Sequence, residues 1–212
     1  MKYASSKLDY SNLQGIVKRT MSGVSGGRQT RFCLNSIITT ENHEAGGVPD
    51  EMRIIVRKTG SEDMSFLREM LYEAIFIPEG EEKPHPSIID NPDIYKYLSG
   101  WMKKTDTGFI AEADGRAVGA AWARLFESAA AGGYGFINSD TPELCLAVYE
   151  NYRNRGVGTA LMNSLLAELK LRRYEHLSLS VDKQNRAVDL YKRLGFKVVK
   201  EQDTDYLMLK KL

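Results

Sequence analysis

Apolar and polar positions fall into regular patterns only from Met52 onward. Residues 53–57 form a short β-branched run, the signature of a strand. Met64, Phe66, Leu67, Met70, Leu71, Ala74 and Ile75 then recur at helical spacing, which predicts a helix with one buried face. Ser61 is its N-cap candidate, with Glu62 and Asp63 suited to the positive end of the helix dipole. The stretch 78–86, rich in Pro and Glu, breaks regular structure. Beyond it Ile94, Tyr95, Leu98 and Trp101 predict a second helix from Pro92 or Asp93 to Met102.

Two extended runs, 108–112 and 116–125, flank Asp114-Gly115, a strong hairpin signal. Residues 143–148 read as another strand. Val157, Ala160, Leu161, Leu165 and Leu169 share one face of a long helix that follows it. Residues 176–181 alternate as a strand. Ala187, Leu190, Tyr191 and Leu194 line a compact helix over 185–194 that Gly195 stops. Residues 196–199 and 206–209 close the chain as two strands. This order of strands and helices describes a mixed α/β domain over 52–212. Residues 1–51 are polar, punctuated by glycine and weakly periodic, with one short strand candidate at 32–40 that lacks an evident partner. They read as an N-terminal extension, loosely attached or not native to the domain, with a regulatory or dimerising arm as the alternative.

Charge narrows the partners. Twenty-nine basic side chains face 28 acidic ones, a formal net charge of +1. That balance offers no broad phosphate-binding surface, so nucleic acid is not expected as a partner. No run approaches the roughly 18 apolar residues that a membrane span needs, so no membrane partner is expected either. Cys33 and Cys145 have no metal-type spacing, and His43, His85 and His176 are scattered, so the expectation is no metal site and a cytoplasmic protein.

Candidate chemistry concentrates between the strand at 143–148 and the helix after it. The connection reads Arg153-Asn154-Arg155-Gly156-Val157-Gly158-Thr159. Glycines at a strand-to-helix turn let backbone N–H groups approach a ligand, and the helix start favours negative charge. The same glycines would also suit any tight turn, and the two arginines would also serve as solvated surface charges.

Leu146-Ala147-Val148 followed by Tyr152 to Leu161 resembles the acetyl-CoA signature of the GNAT superfamily of N-acetyltransferases, with Arg153, Gly156 and Gly158 at the defining positions. Asp182 to Asn185, then Ala187, Leu190-Tyr191 and Leu194-Gly195-Phe196, resemble the next motif of that family at the right spacing. The resemblance covers residues 52–212. It implies the GNAT fold, a mixed central sheet of about six to seven strands flanked by about four helices. It also implies an acyltransferase with acetyl-CoA as donor and a small-molecule or peptide amine as acceptor, with a homodimer as one option. The implied coenzyme A contacts are Leu146, Ala147, Val148, Arg153, Asn154, Arg155, Gly156, Val157, Gly158, Thr159 and Asn185. Asn185 would equally cap its own helix. The N–H of Val148 would polarise the thioester carbonyl, and Tyr191 would protonate the leaving thiolate. A phenol, with a reference pKa of about 10, is protonated at neutral pH and able to donate. Its spacing also fits an ordinary core tyrosine.

Glu143, on the motif strand, is the leading candidate for a general base, with Glu73 and Glu112 as others. An amine that arrives neutral would need none. Phe76, Ile77, Pro78, Tyr95, Trp101 and Trp122 are candidates for the acceptor pocket. The rival reading is a non-catalytic acyl-CoA sensor or interaction module on the same fold. The residues do not identify the acceptor.

Overall fold

The computed structural model describes residues 52–212, together with the backbone of one strand, Ser36–Ile38. The remaining residues of 1–51, and the readings placed on them, lie outside the described residues. The strands are β1 (Ser36–Ile38), β2 (Ile54–Lys58), β3 (Thr107–Ala113), β4 (Arg116–Arg124), β5 (Glu143–Val148), β6 (His176–Asp182), β7 (Lys197–Glu201) and β8 (Asp205–Lys211). The α-helices are α1 (Met64–Glu73), α2 (Pro92–Tyr95), α3 (Val157–Leu171) and α4 (Ala187–Arg193). Among the described residues eight strands form one sheet in the order β1-β2-β3-β4-β5-β6-β8-β7, one more than expected. The addition is β1, whose partner is β2, with Ile37 opposite Ile55. Every pairing is antiparallel except β5 with β6.

Alternation along the strands divides the core in two. Ile54, Val56, Ala111, Ala121, Leu144 and Val148 face the apolar side of α3, where Val157, Leu161, Leu165 and Leu169 are buried. Ile110, Ala120, Trp122 and Ala147 face the other way, onto Leu67, Met70 and Leu71 of α1. The Asp114-Gly115 turn closes the β3–β4 hairpin as expected, with both residues at positive φ (49° and 79°).

Two local expectations need correction. Ser61 does not cap the first helix; a single 3-10 turn, Ser61–Asp63, precedes α1. Asp63 accepts the Gly60 N–H at 2.7 Å while its carboxylate grips Arg57 at 2.7 and 2.8 Å. The second helix is one turn long instead of reaching Met102. The buried Arg124 guanidinium takes the carbonyls of Lys96 and Ser99, both at 2.9 Å, which a continuing helix would have used itself.

Candidate active site

The main feature is a gap in the sheet. β5 pairs with β4 along all six of its residues. Toward β6 only Glu143 opposite Ser178 is in register, and the strands then part. Tyr149 N–H donates to Val118 O at 2.9 Å, extending the β4–β5 ladder by a hydrogen-bonded pair. Counting back in twos, residues 147, 145 and 143 bond to β4. Residues 148 and 146 therefore turn their N–H and C=O groups into the gap, while the N–H of 144 is used in the single rung to Ser178. An exposed strand edge of this kind accepts an extended, amide-bearing ligand as an added strand.

The gap ends at the glycine turn. Asn154 and Gly156 adopt left-handed conformations, φ 60° and 79°, which asparagine tolerates and glycine adopts freely. Gly156 is the N-cap of α3, so the N–H groups at the start of Val157, Gly158 and Thr159 have no partner within the helix. Val157 itself is buried, which anchors the turn to the core. Gly158 has a packing reason of its own: a Cβ there would come within 3.3 Å of Leu190 on α4.

The two arginines diverge. Arg153 turns back along the strand, its Nε donating to the Val148 carbonyl at 3.0 Å, while the rest of its guanidinium is half-exposed. Arg155 is exposed and lines a shallow pocket with Met52, Asp114, Asn151 and Tyr152. Asn185 caps α4, its Oδ1 accepting the Ala187 N–H at 2.9 Å, which leaves its amide N–H₂ available.

Tyr191 is buried, edge-on to Phe196 with ring centroids 5.6 Å apart. Burial pushes its phenol well above the usual range, and the Cys145 thiol lies close enough to add to that shift. Among the described residues no hydrogen bond engages its hydroxyl. Cys145 is held fully protonated by burial, with Glu143 adding to the effect, and is no nucleophile.

Glu143 sits at the closed end of the gap and is only 2% exposed. Its Oε1 accepts from Tyr97 Oη at 2.5 Å and from the Gly135 N–H at 2.7 Å, while Oε2 has no partner among the described residues. Burial raises its pKa against the opposing pull of those donors. The other two base candidates are occupied elsewhere: Glu112 binds Arg57 at 2.8 Å, and Glu73 binds Lys83 at 2.6 Å. Trp122 is fully buried with its indole N–H on the Tyr97 carbonyl, so it lines no acceptor pocket. Tyr97 and Tyr134, which do border the Glu143 end, gave no signal in the sequence. Their placement depends on the β4–β5 loop folding across to β6, where a Cβ on Gly135 would stand 2.8 Å from the Ser180 nitrogen.

A mixed sheet split at its one parallel pair, above a helix that opens on a glycine turn, defines a recognisable class of α/β protein. The Acetyltransferase (GNAT) family profile matches residues 68–196. An N-alpha-acetyltransferase of Sulfurisphaera tokodaii is 37% identical over 121 residues, spanning 52% of this chain and 68% of that protein. The PaiA N-acetyltransferase of Thermoplasma acidophilum, solved in complex with coenzyme A, shares the fold at a TM-score of 0.53 and 22% identity, covering 75% of this chain and 99% of that one. The GNAT domain of S. lividans PAT does so at 0.60 and 16% identity, covering 84% and 97%. The chain belongs to the GNAT family of acetyltransferases.

Proposed function

We propose that the protein is an N-acetyltransferase that takes the acetyl group from acetyl-CoA and passes it directly to a primary amine. The observation that carries this reading is a convergence at one place: the unpaired edge of β5, the open start of α3 and the hydroxyl of the buried Tyr191. The N–H groups from Gly156 to Thr159 take the pyrophosphate, with Asn154 shaping the turn and Arg155 adding attraction from its rim. The edge of Leu146, Ala147 and Val148 takes the amide-rich pantetheine arm, and the amide of Asn185, just before α4, adds a donor to it.

Tyr191 has the Cys145 thiol of β5 as a titratable neighbour. The Val148 carbonyl is already held by Arg153. The N–H groups of Leu146 and Val148 both point into the gap, where a donor binds the developing oxyanion. The amine nitrogen bonds to the thioester carbonyl carbon, and the C–S bond breaks. Tyr191 gives its proton to the departing thiolate, whose own proton affinity is raised by the same burial. Glu143, with one oxygen free, accepts the proton that the amine sheds, directly or through water.

Titration calorimetry with acetyl-CoA tests the donor, with binding expected in the micromolar range typical of enzyme substrates; no heat at millimolar ligand overturns the reading. Gly156→Ala tests the cradle. A side chain at φ 79° costs about 1–2 kcal/mol of stability, and distorting the turn weakens acetyl-CoA binding about tenfold. Unchanged affinity in that variant removes the turn from the donor site.

A further inference from the structure

Resting on the acetyl-transfer reading, we propose that Tyr97 is a positioning residue for that reaction: its hydroxyl fills one oxygen of Glu143, so that the proton shed by the amine is taken by the other. Glu143 Oε1 accepts from Tyr97 Oη at 2.5 Å and from the Gly135 N–H at 2.7 Å. Two donors occupy both lone pairs of that oxygen. The Gly133 N–H adds its pull on the same carboxylate. Oε2 is buried and has no partner among the described residues. A carboxylate held in this way has a single site for an incoming proton.

The direction of the Tyr97 bond is fixed as well. Its Oη accepts the Tyr134 N–H at 2.9 Å, and the one proton of the phenol is left to point at Glu143. Burial and the Glu143 charge raise the phenol well above its usual range, so it stays a donor. The residue is pinned from β4. The Trp122 indole N–H donates to the Tyr97 carbonyl at 3.2 Å, and Arg124 holds the carbonyls of Lys96 and Ser99 on either side. The ring lies edge-on to Phe126 with centroids 5.8 Å apart. Gly133 completes the holder, since a Cβ there would collide with Tyr97 Oη and stand 2.5 Å from Glu143 Oε1.

The other groups around Glu143 do not replace this contact. Lys96 favours the carboxylate through its charge alone, its ammonium held by Asp93 at 3.1 Å and the Gly132 carbonyl at 3.0 Å. Arg124 stands opposite Glu143 on β4 but commits its guanidinium to Asp106 at 3.1 Å. Ser178, opposite on β6, is uncharged. Burial keeps both Cys145 and Tyr134 protonated, and Asp93 and Asp205 lie close enough to Tyr134 to raise its phenol further. Without the Tyr97 hydroxyl, burial favours the neutral acid of Glu143 with less to oppose it. The Glu143 pKa then rises, and a base that works only when ionised loses its activity sooner as pH falls.

Tyr97→Phe keeps the ring and removes the donor. Infrared-difference titration reads the Glu143 carboxyl directly, with its band assigned by its loss in Glu143→Gln. The midpoint is expected to rise by about one pH unit in Tyr97→Phe. Thiol release with benzylamine at saturating acetyl-CoA gives kcat/KM for variant and wild type, and the ionisation of the amine cancels in their ratio. That ratio is expected to be about tenfold below one on the acid side of the wild-type midpoint and to return toward one above the midpoint of the variant. Gly133→Ala, which breaks the same contact from the loop side, gives the same shift. An unmoved midpoint overturns the proposal. So does a rate ratio equally low at every pH, which is what a tyrosine that only holds the loop in place produces. Acetyl transfer itself stands in either case. No acetyl-CoA binding and no thiol release in the wild type defeats the acetyl-transfer reading, whatever the titration gives.

Discussion

Tyr191→Phe lowers turnover about a hundredfold and leaves acetyl-CoA affinity within about twofold, the loss expected when a positioned proton donor is removed. The substitution deletes one oxygen. The ring keeps its edge-on contact with Phe196 and its place against the α4 side of the core, so packing changes little. Since no described residue engages the hydroxyl, no internal hydrogen bond is lost, and stability holds to within about 1 kcal/mol. Loss of kcat without loss of binding is the signature of an interaction made in the transition state. Steady-state kinetics beside calorimetry on the variant separate the two. Unchanged turnover returns Tyr191 to the core and leaves the thiolate to water.

What could be read from the sequence is what is local. The glycine turn, the apolar faces of α3 and α4, the Asp-Gly hairpin and the strand at 143–148 all follow from neighbours within a few residues, where spacing encodes geometry. The second helix shows where that fails. Ile94, Tyr95, Leu98 and Trp101 do carry a helical stripe, and Leu98 and Trp101 are buried as it demands. The helix nonetheless ends after one turn, and a guanidinium from β4 takes the carbonyls of Lys96 and Ser99 just beyond it. Glu143 fails in the same way. Its place on the motif strand was evident; its enclosure by Tyr97 and the Gly135 amide depends on a loop crossing to β6. The gap itself is also non-local. It is an absence of pairing between β5 and β6, and neither strand's side chains announce it.

Arg124→Leu destabilises the protein by about 3–5 kcal/mol, the usual cost of leaving one half of a buried ion pair without its partner. The side chains of Arg124 and Asp106 are 3% and 2% exposed and lie 3.1 Å apart. Burial pulls the Arg124 pKa down and Asp106 pulls it back, so the pair persists because each charge answers the other. Leucine would fill part of the space and strand the carboxylate. Among the described residues Asp106 Oδ1 already lacks a partner, and Oδ2 would keep only the Lys103 N–H at 3.0 Å. For a domain of this size the melting temperature falls on the order of 10 °C. Leucine at both positions recovers much of the loss, since an apolar pair brings no desolvation penalty. That recovery distinguishes a stranded charge from simple misfit. The same variant reaches the active site: with the Lys96 and Ser99 carbonyls released, the segment carrying Tyr97 loosens and Glu143 loses its hydroxyl donor. At a temperature where the single variant remains folded, kcat for amine acetylation falls while acetyl-CoA binding, set by α3 on the far side of β5, stays near its original value. A melting shift below about 3 °C for Arg124→Leu shows that the pair contributes little and that α2 is held by its packing alone.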